Sequence, residues 1–235
     1  MGQYYRGVIL GKTTKRAKKI IVRQAFCCYG HDNGAKLMEH SYVGNWYVKE
    51  YETALANGFY GHPFVWAGDY ADEKYDTEVY FKACEFIDKK TESHAKLLGY
   101  KKIDNGRWGE EYKNSTGETR SEKELCIQTP YEKLETYEYI INLTKRIFVR
   151  IPKKEEGQWL IHPLPLLCAD GNGRGGGDYE GTNMELIGSW AYDRIGVSNT
   201  LPEGFTRELQ VKFVESYEGG DSSVNDFKIV SHKKN

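Results

Sequence analysis

An α+β fold, one domain with a mainly antiparallel sheet and a few short helices, follows from three observations on the sequence. Short runs rich in Val, Ile, Phe and Tyr are joined by turn-sized segments, the spacing of hairpins and not of strands alternating with long helices. Amphipathic helical spacing is confined to two stretches, Trp46–Ala56 and Val79–Ile87. The composition is that of an ordinary globular protein: 235 residues, 39% hydrophobic and 29% charged, with a formal net charge of −1. Single domains commonly hold roughly 100–200 residues and mixed folds exceed that, so one domain over residues 1–235 is the expectation.

The elements justify themselves in order. Tyr4–Leu10 and Lys19–Tyr29 read as two strands of a hairpin whose tip is the basic stretch Lys12–Lys19. Gly30-His31-Asp32-Asn33-Gly34 is turn chemistry. Trp46–Ala56 then sets Tyr47, Val48, Tyr51 and Leu55 on one helical face and stops at Asn57-Gly58. Pro63–Tyr70 is an aromatic, β-favouring run, expected as a buried strand. Val79, Ala83, Phe86 and Ile87 share a face and predict a short helix. From Lys89 to Glu124 polar residues dominate, which predicts a polar insertion or a peripheral hairpin over 89–124. Tyr137–Asn142 and Arg146–Ile151 form a second hairpin about Leu143-Thr144-Lys145. In Trp159–Cys168 two prolines favour an extended or edge segment. Glu185–Trp190, Asp193–Val197 and Glu208–Ser216 extend the β-rich half, and Glu218–Asn235 reads as a loosely held tail.

Several function classes are disfavoured. A net charge near zero removes the electrostatic case for a nucleic-acid-coating protein. Only the cluster Lys12, Lys15, Arg16, Lys18 and Lys19 offers a nucleic acid a surface, and a solvated turn is the better explanation of it. No apolar run approaches the roughly 18 residues of a membrane span, so no membrane partner is expected. The five cysteines contain no C-x-x-C pair, and no two histidines stand at i+3 or i+4; neither a disulfide framework nor a metal site is expected. With no secretory signal at Met1–Arg6, the expected location is the cytoplasm. Gly7–Thr13 lacks the spacing of a P-loop. Asp69, Asp72, Glu73, Asp76 and Glu78 make an acidic run without EF-hand spacing.

The one unusual feature is Gly171–Tyr179, where five glycines surround Arg174. Such a backbone points several N–H groups into one concavity, and a guanidinium suits phosphate or carboxylate. The G-x-G-x-x-G match over Gly171, Gly173 and Gly176 lacks the strand and helix that a dinucleotide fingerprint requires. Asn172, Gly173, Arg174, Gly175, Gly176, Gly177, Asp178 and Tyr179 are therefore the candidate ligand-binding residues, with Trp66 and Trp190 as candidate stacking platforms. Glycines that serve only turn geometry are the competing explanation. His162, His40 and Asp193 are the candidate catalytic residues, an imidazole base with a carboxylate to orient it. No cofactor is implied.

Several segments together carry a resemblance: Met1–Tyr5, Lys36–Tyr42, Val65–Tyr70, His162–Leu167, Gly171–Tyr179 and Gly188–Ala191. The chain resembles a family of small proteins of unassigned function from bacterial genomes and their phages. That setting implies a phage or mobile-element protein in the host cytoplasm, with counter-defence as one role. Three readings follow. The first is a non-catalytic binding protein that holds an anionic ligand, a nucleotide or phosphate, or a host protein through the glycine loop. The second is a small hydrolase or transferase acting on a nucleotide or phosphorylated substrate. The third is a protein-binding inhibitor using the acidic and aromatic surface near residues 69–80.

Overall fold

The computed structural model describes residues 2–11, 20–31, 34–71, 78–103, 111–126, 128–216 and 227–232. It is an α+β fold built on a nine-stranded, mostly antiparallel sheet. The strands are β1 (Tyr5–Leu10), β2 (Val22–Gln24), β3 (His62–Gly68), β7 (Tyr139–Asn142), β8 (Ile147–Arg150), β9 (Ala169–Asp170), β10 (Arg194–Ser198), β11 (Arg207–Gln210) and β12 (Lys228–Ser231). Their order is β12-β11-β8-β7-β10-β3-β1-β2, with β9 beside β3. Strands β4 (Lys101–Ile103), β5 (Glu111–Lys113) and β6 (Thr119–Ser121) make a separate three-stranded sheet. The helices are α1 (Leu37–His40), α2 (Trp46–Ala56), α3 (Glu78–Leu97), α4 (Glu122–Leu125) and α5 (Pro163–Leu167).

Alternation along β1 and β3 sorts the core into two faces, because successive side chains of a strand point oppositely. Tyr5, Ile9, Phe64 and Trp66 join Tyr47, Val48, Tyr51 and Leu55 of α2. Val8, Leu10, Val65 and Ala67 join Val79, Ala83 and Ile87 of α3. Gly7 sits on the α2 side, where a Cβ would fall 2.7 Å from the Tyr51 ring. The absent side chain lets the Tyr51 hydroxyl donate to the Gly7 carbonyl at 2.5 Å.

β3 is the seam of the sheet. One edge pairs with β1, from Tyr5↔Gly68 to Ile9↔Phe64. The other edge is shared: its start pairs antiparallel with β10, and Trp66 and Ala67 pair in parallel with Ala169 and Asp170 of β9.

The two expected hairpins are present. β1 pairs with β2, while the basic tip, Lys12 to Lys19, lies outside the described residues. β7 pairs with β8 from Tyr139↔Arg150 to Asn142↔Ile147.

At several points the structure differs from the expectation. The helix begun at Val79 runs to Leu97, since Thr91 and Ala95 still face inward while the charged residues around them face solvent. The described remainder of 89–124 holds the three-stranded sheet and the start of α4. Pro163–Leu167 is a short helix and not an extended strand; Pro163 occupies the first helical position, where a missing N–H costs nothing, and His162 caps it. Glu185–Trp190 is turns, beginning with a 3-10 turn over Met184–Leu186. Within the expected tail, Lys228–Ser231 pairs with β11.

Candidate functional site

The glycine loop leaves β9 and turns back on itself, with Gly171, Gly173 and Gly177 in the left-handed region. It does form a concavity of backbone N–H groups, and a carboxylate of the same loop fills it. Asp178 Oδ2 accepts from the N–H of Gly173, Arg174 and Gly175 at 2.7, 2.8 and 3.0 Å. Asp178 Oδ1 accepts from the Tyr5 hydroxyl at 2.9 Å. Burial, then the adjacent Asp178 charge, pushes the Tyr5 hydroxyl far above the ordinary phenol range, so it remains a donor.

Arg174 Nη1 donates to the Tyr70 carbonyl at 2.6 Å. Asn172 takes both backbone groups of Tyr179, and the buried Tyr179 hydroxyl reaches the carbonyls of Thr182 and Val214.

The glycines also answer to packing. A Cβ on Gly68 or Gly171 would occupy the place of the Gln3 amide, and one on Gly175 would stand 2.6 Å from the Gln3 backbone nitrogen. One on Gly177 would strike the Lys36 side chain. Gly176 and Gly177 carbonyls accept from the N–H of Gln3 and Met38, each at 3.2 Å. The opening segment, Lys36–Tyr42, Val65–Tyr70 and the glycine loop, four of the segments that carry the resemblance, therefore meet here.

Trp66 and Trp190 lie in the core, and burial takes them away as stacking platforms. The Trp66 ring is enclosed by His40, Tyr47, Tyr51 and Phe64. Its indole N–H donates to His40 Nε2 at 2.7 Å. Burial holds His40 down to about 3, against a smaller opposing effect of the Gly34 backbone. The ring is neutral and fully enclosed, out of reach of a substrate. Asp193 accepts from Asn142 Nδ2 at 2.8 Å and Lys145 Nζ at 2.6 Å, tying β7 to β10.

His162 is engaged at both nitrogens. Nδ1 accepts from the Leu164 N–H at 3.2 Å, which caps α5 and assigns the ring proton to Nε2. Nε2 then donates to Glu52 Oε1 at 2.8 Å. No lone pair is left for proton abstraction, so the three catalytic candidates are not brought together as an acid–base set.

His162 and Glu52 do, however, line a cavity of about 560 Å³ between the start of α2 and the chain flanking β7 and β8. Asn45 starts α2 by accepting from the Val48 N–H at 3.2 Å, which sets Val43, Gly44 and Lys49 along one wall. Tyr137, Ile151 and Pro152 supply an apolar wall, and Lys153 and Lys154 the rim. Glu138 is paired with Lys153 at 4.0 Å, and Glu52 accepts a hydrogen bond from His162. Lys49 and Lys154 are left without a carboxylate partner among the described residues.

Beyond Pro152 a second hollow of about 350 Å³ continues past Trp159, Leu160 and Lys212. Trp159 is 64% exposed. It stacks on Tyr42 at 4.6 Å, with Lys154 5.6 Å from the ring centre.

Lys49, Lys153, Lys154, Tyr42 and Trp159 were missed in the sequence. Their one local signal is Pro152-Lys153-Lys154 shortly before Trp159, basic residues beside an aromatic. Asp72 to Thr77, the centre of the acidic surface, lie outside the described residues. Among the described residues no cluster of three or more His, Cys, Asp and Glu is placed to hold a metal ion. No described helix is long and apolar enough to cross a membrane.

The fold and cavity define the class only as an α+β protein with a lysine-rimmed pocket. No protein-family profile, curated protein or solved structure matches the chain.

Proposed function

We propose that this chain is a binding protein for an anionic small molecule with a planar group, a nucleotide being the chemical class, held in the cavity floored by His162 and Glu52. One observation carries this reading: Lys49 and Lys154, neither matched by a carboxylate among the described residues, face an open cleft of about 560 Å³, the size of small-molecule sites. The phosphate lies at the lysines, and the exposed Trp159 offers a face to a base. The site is moved here from the glycine loop because Asp178 already occupies the N–H groups of that loop. Binding is preferred over turnover because both nitrogens of His162 are committed. In the phage or mobile-element setting that the resemblance implies, such a protein withdraws a nucleotide messenger from the host as counter-defence.

The test is native mass spectrometry before and after heat release, followed by calorimetric titration with adenosine monophosphate and with inorganic phosphate. The expected result is measurable nucleotide binding that the pair Lys49→Glu and Lys154→Glu weakens by about tenfold or more, near 1.4 kcal/mol. Arg174→Ala leaves it unchanged. Loss with Arg174→Ala but not with the lysine pair returns the site to the glycine loop, and no binding of either probe removes the anion reading.

A further inference from the structure

Two hollows meet at Pro152, which lines both. The larger, about 560 Å³, has Lys49 on one wall and Lys154 at its rim. The smaller, about 350 Å³, contains Trp159 and Lys212, a cation that pairs with no carboxylate among the described residues. Lys154 joins the two: it lines the larger hollow, and its Nζ stands 5.6 Å from the centre of the Trp159 ring. Tyr42 stacks on one face of that ring, so the exposure of Trp159 belongs to its other face and edge. A phosphate held by Lys49 and Lys154 with its base on Trp159 therefore lies at the boundary between the hollows.

That arrangement leaves most of the larger hollow unfilled. A phosphate takes roughly the volume of two or three waters, at about 30 Å³ each. Tyr137, Ile151 and Pro152 give the remaining space an apolar wall, and its floor carries the buried Glu52. Glu52 Oε1 accepts from His162 Nε2 at 2.8 Å. Oε2 accepts from no described residue and is not sealed from solvent, so it opens onto the hollow that Glu52 lines. A carboxylate oxygen is an acceptor, and leaving it unpaired in a buried side chain costs free energy. It repels the oxygens of a second phosphate and suits the hydroxyl or amino donors of a nucleoside.

Resting on the nucleotide reading, we propose that the ligand is a dinucleotide, two nucleosides joined through one phosphate, with one nucleoside in each hollow. The linking phosphate lies between Lys49 and Lys154. One base covers the open face of Trp159, on the side of Lys212. The other nucleoside enters the larger hollow, packs on Tyr137 and Ile151, and donates from its sugar or base to Glu52 Oε2. A mononucleotide fills only one side of the phosphate and leaves Glu52 Oε2 unanswered.

The experiment is calorimetric titration of the full chain with adenosine monophosphate, diadenylate and tetra-adenylate. Diadenylate is expected to bind at least about tenfold more tightly than the monophosphate, near 1.4 kcal/mol, and tetra-adenylate within about threefold of diadenylate. Glu52→Gln keeps an acceptor for His162 and turns an amide donor toward the ligand. In that variant diadenylate is expected to lose its advantage, the two affinities falling within about threefold of each other. Monophosphate bound by the parent chain as tightly as diadenylate overturns the dinucleotide and leaves the mononucleotide reading intact. Tetra-adenylate bound about tenfold more tightly than diadenylate overturns it in favour of a longer strand. Failure of all three probes removes the nucleotide reading and the dinucleotide with it. These comparisons on the parent chain need no variant to fold.

Discussion

His40 is a base that the fold never allows to be charged, and that makes the protein acid-sensitive. Its ring is held down to about 3 from an ordinary 6.5 by burial. Between those values the unfolded chain binds a proton that the folded chain excludes. Stability is therefore complete above about pH 6.5 and is lost as pH falls, by at most about 1.4 kcal/mol per unit. His40→Gln keeps an acceptor for the Trp66 indole N–H and removes the titration. The slope of unfolding free energy against pH, measured by tryptophan fluorescence between about pH 4 and 6, is expected to flatten in that variant; an unchanged slope would place the acid sensitivity elsewhere. Asp178 is held by its hydrogen-bond donors. It accepts four hydrogen bonds, from Gly173, Arg174, Gly175 and Tyr5. The expectation of an anion at this loop was legible in the glycines and Arg174. That the anion is the neighbouring aspartate depends on the turn that the glycines make, which composition does not encode.

At the scale of elements, α2 is where sequence and structure agree most closely, and it is also the wall of the cavity. Its apolar face recurs at helical spacing and both ends carry short polar stops, so Trp46–Ala56 is fixed locally. Asn45 caps it by accepting from Val48 N–H. Asn45→Ala leaves that buried donor unpaired and is expected to lower stability by about 1 kcal/mol in urea titration. Because Val43, Gly44 and Lys49 belong to this turn, the same change is expected to weaken the proposed nucleotide binding. Equal stability of variant and parent would show that the cap contributes nothing to holding the wall. α5 and the second half of α3 were hidden for the opposite reason. Two prolines masked a turn that His162 caps through its ring, and the polar run after Ile87 masked a helix with only a narrow buried stripe, Thr91 and Ala95. The lysine cavity was illegible because Lys49 is about a hundred residues from Lys153 and His162 and meets them only once the chain flanking β7 and β8 lies beside α2.

At the scale of the whole molecule, β3 joins what would otherwise be two sheets. β10 pairs with its first residues and β9 with its later ones, while β1 runs along the opposite edge. The buried Phe64 and Trp66 pack in one cluster with α2, Ile140, Ile195 and Leu209, so the large sheet has one continuous core on that side. The β4-β5-β6 sheet shares no strand pairing with it. It rests on its own small cluster, Ala95, Tyr100, Tyr112 and Leu125, at the far end of α3. Stability distributes with such contacts, and regions with a small core open below the global free energy. Native-state hydrogen exchange is therefore expected to divide the chain. The amides of Val8, Val65 and Trp66 open only with global unfolding, and those of Tyr112 and Arg120 open at least about 2 kcal/mol more easily. Addition of urea sharpens the division, since local opening exposes little surface and depends weakly on denaturant while global unfolding depends strongly on it. If the Tyr112 amide follows the same urea dependence and free energy as Trp66, the small sheet is part of the cooperative core, and α3 transmits the full stability of the large sheet along its length.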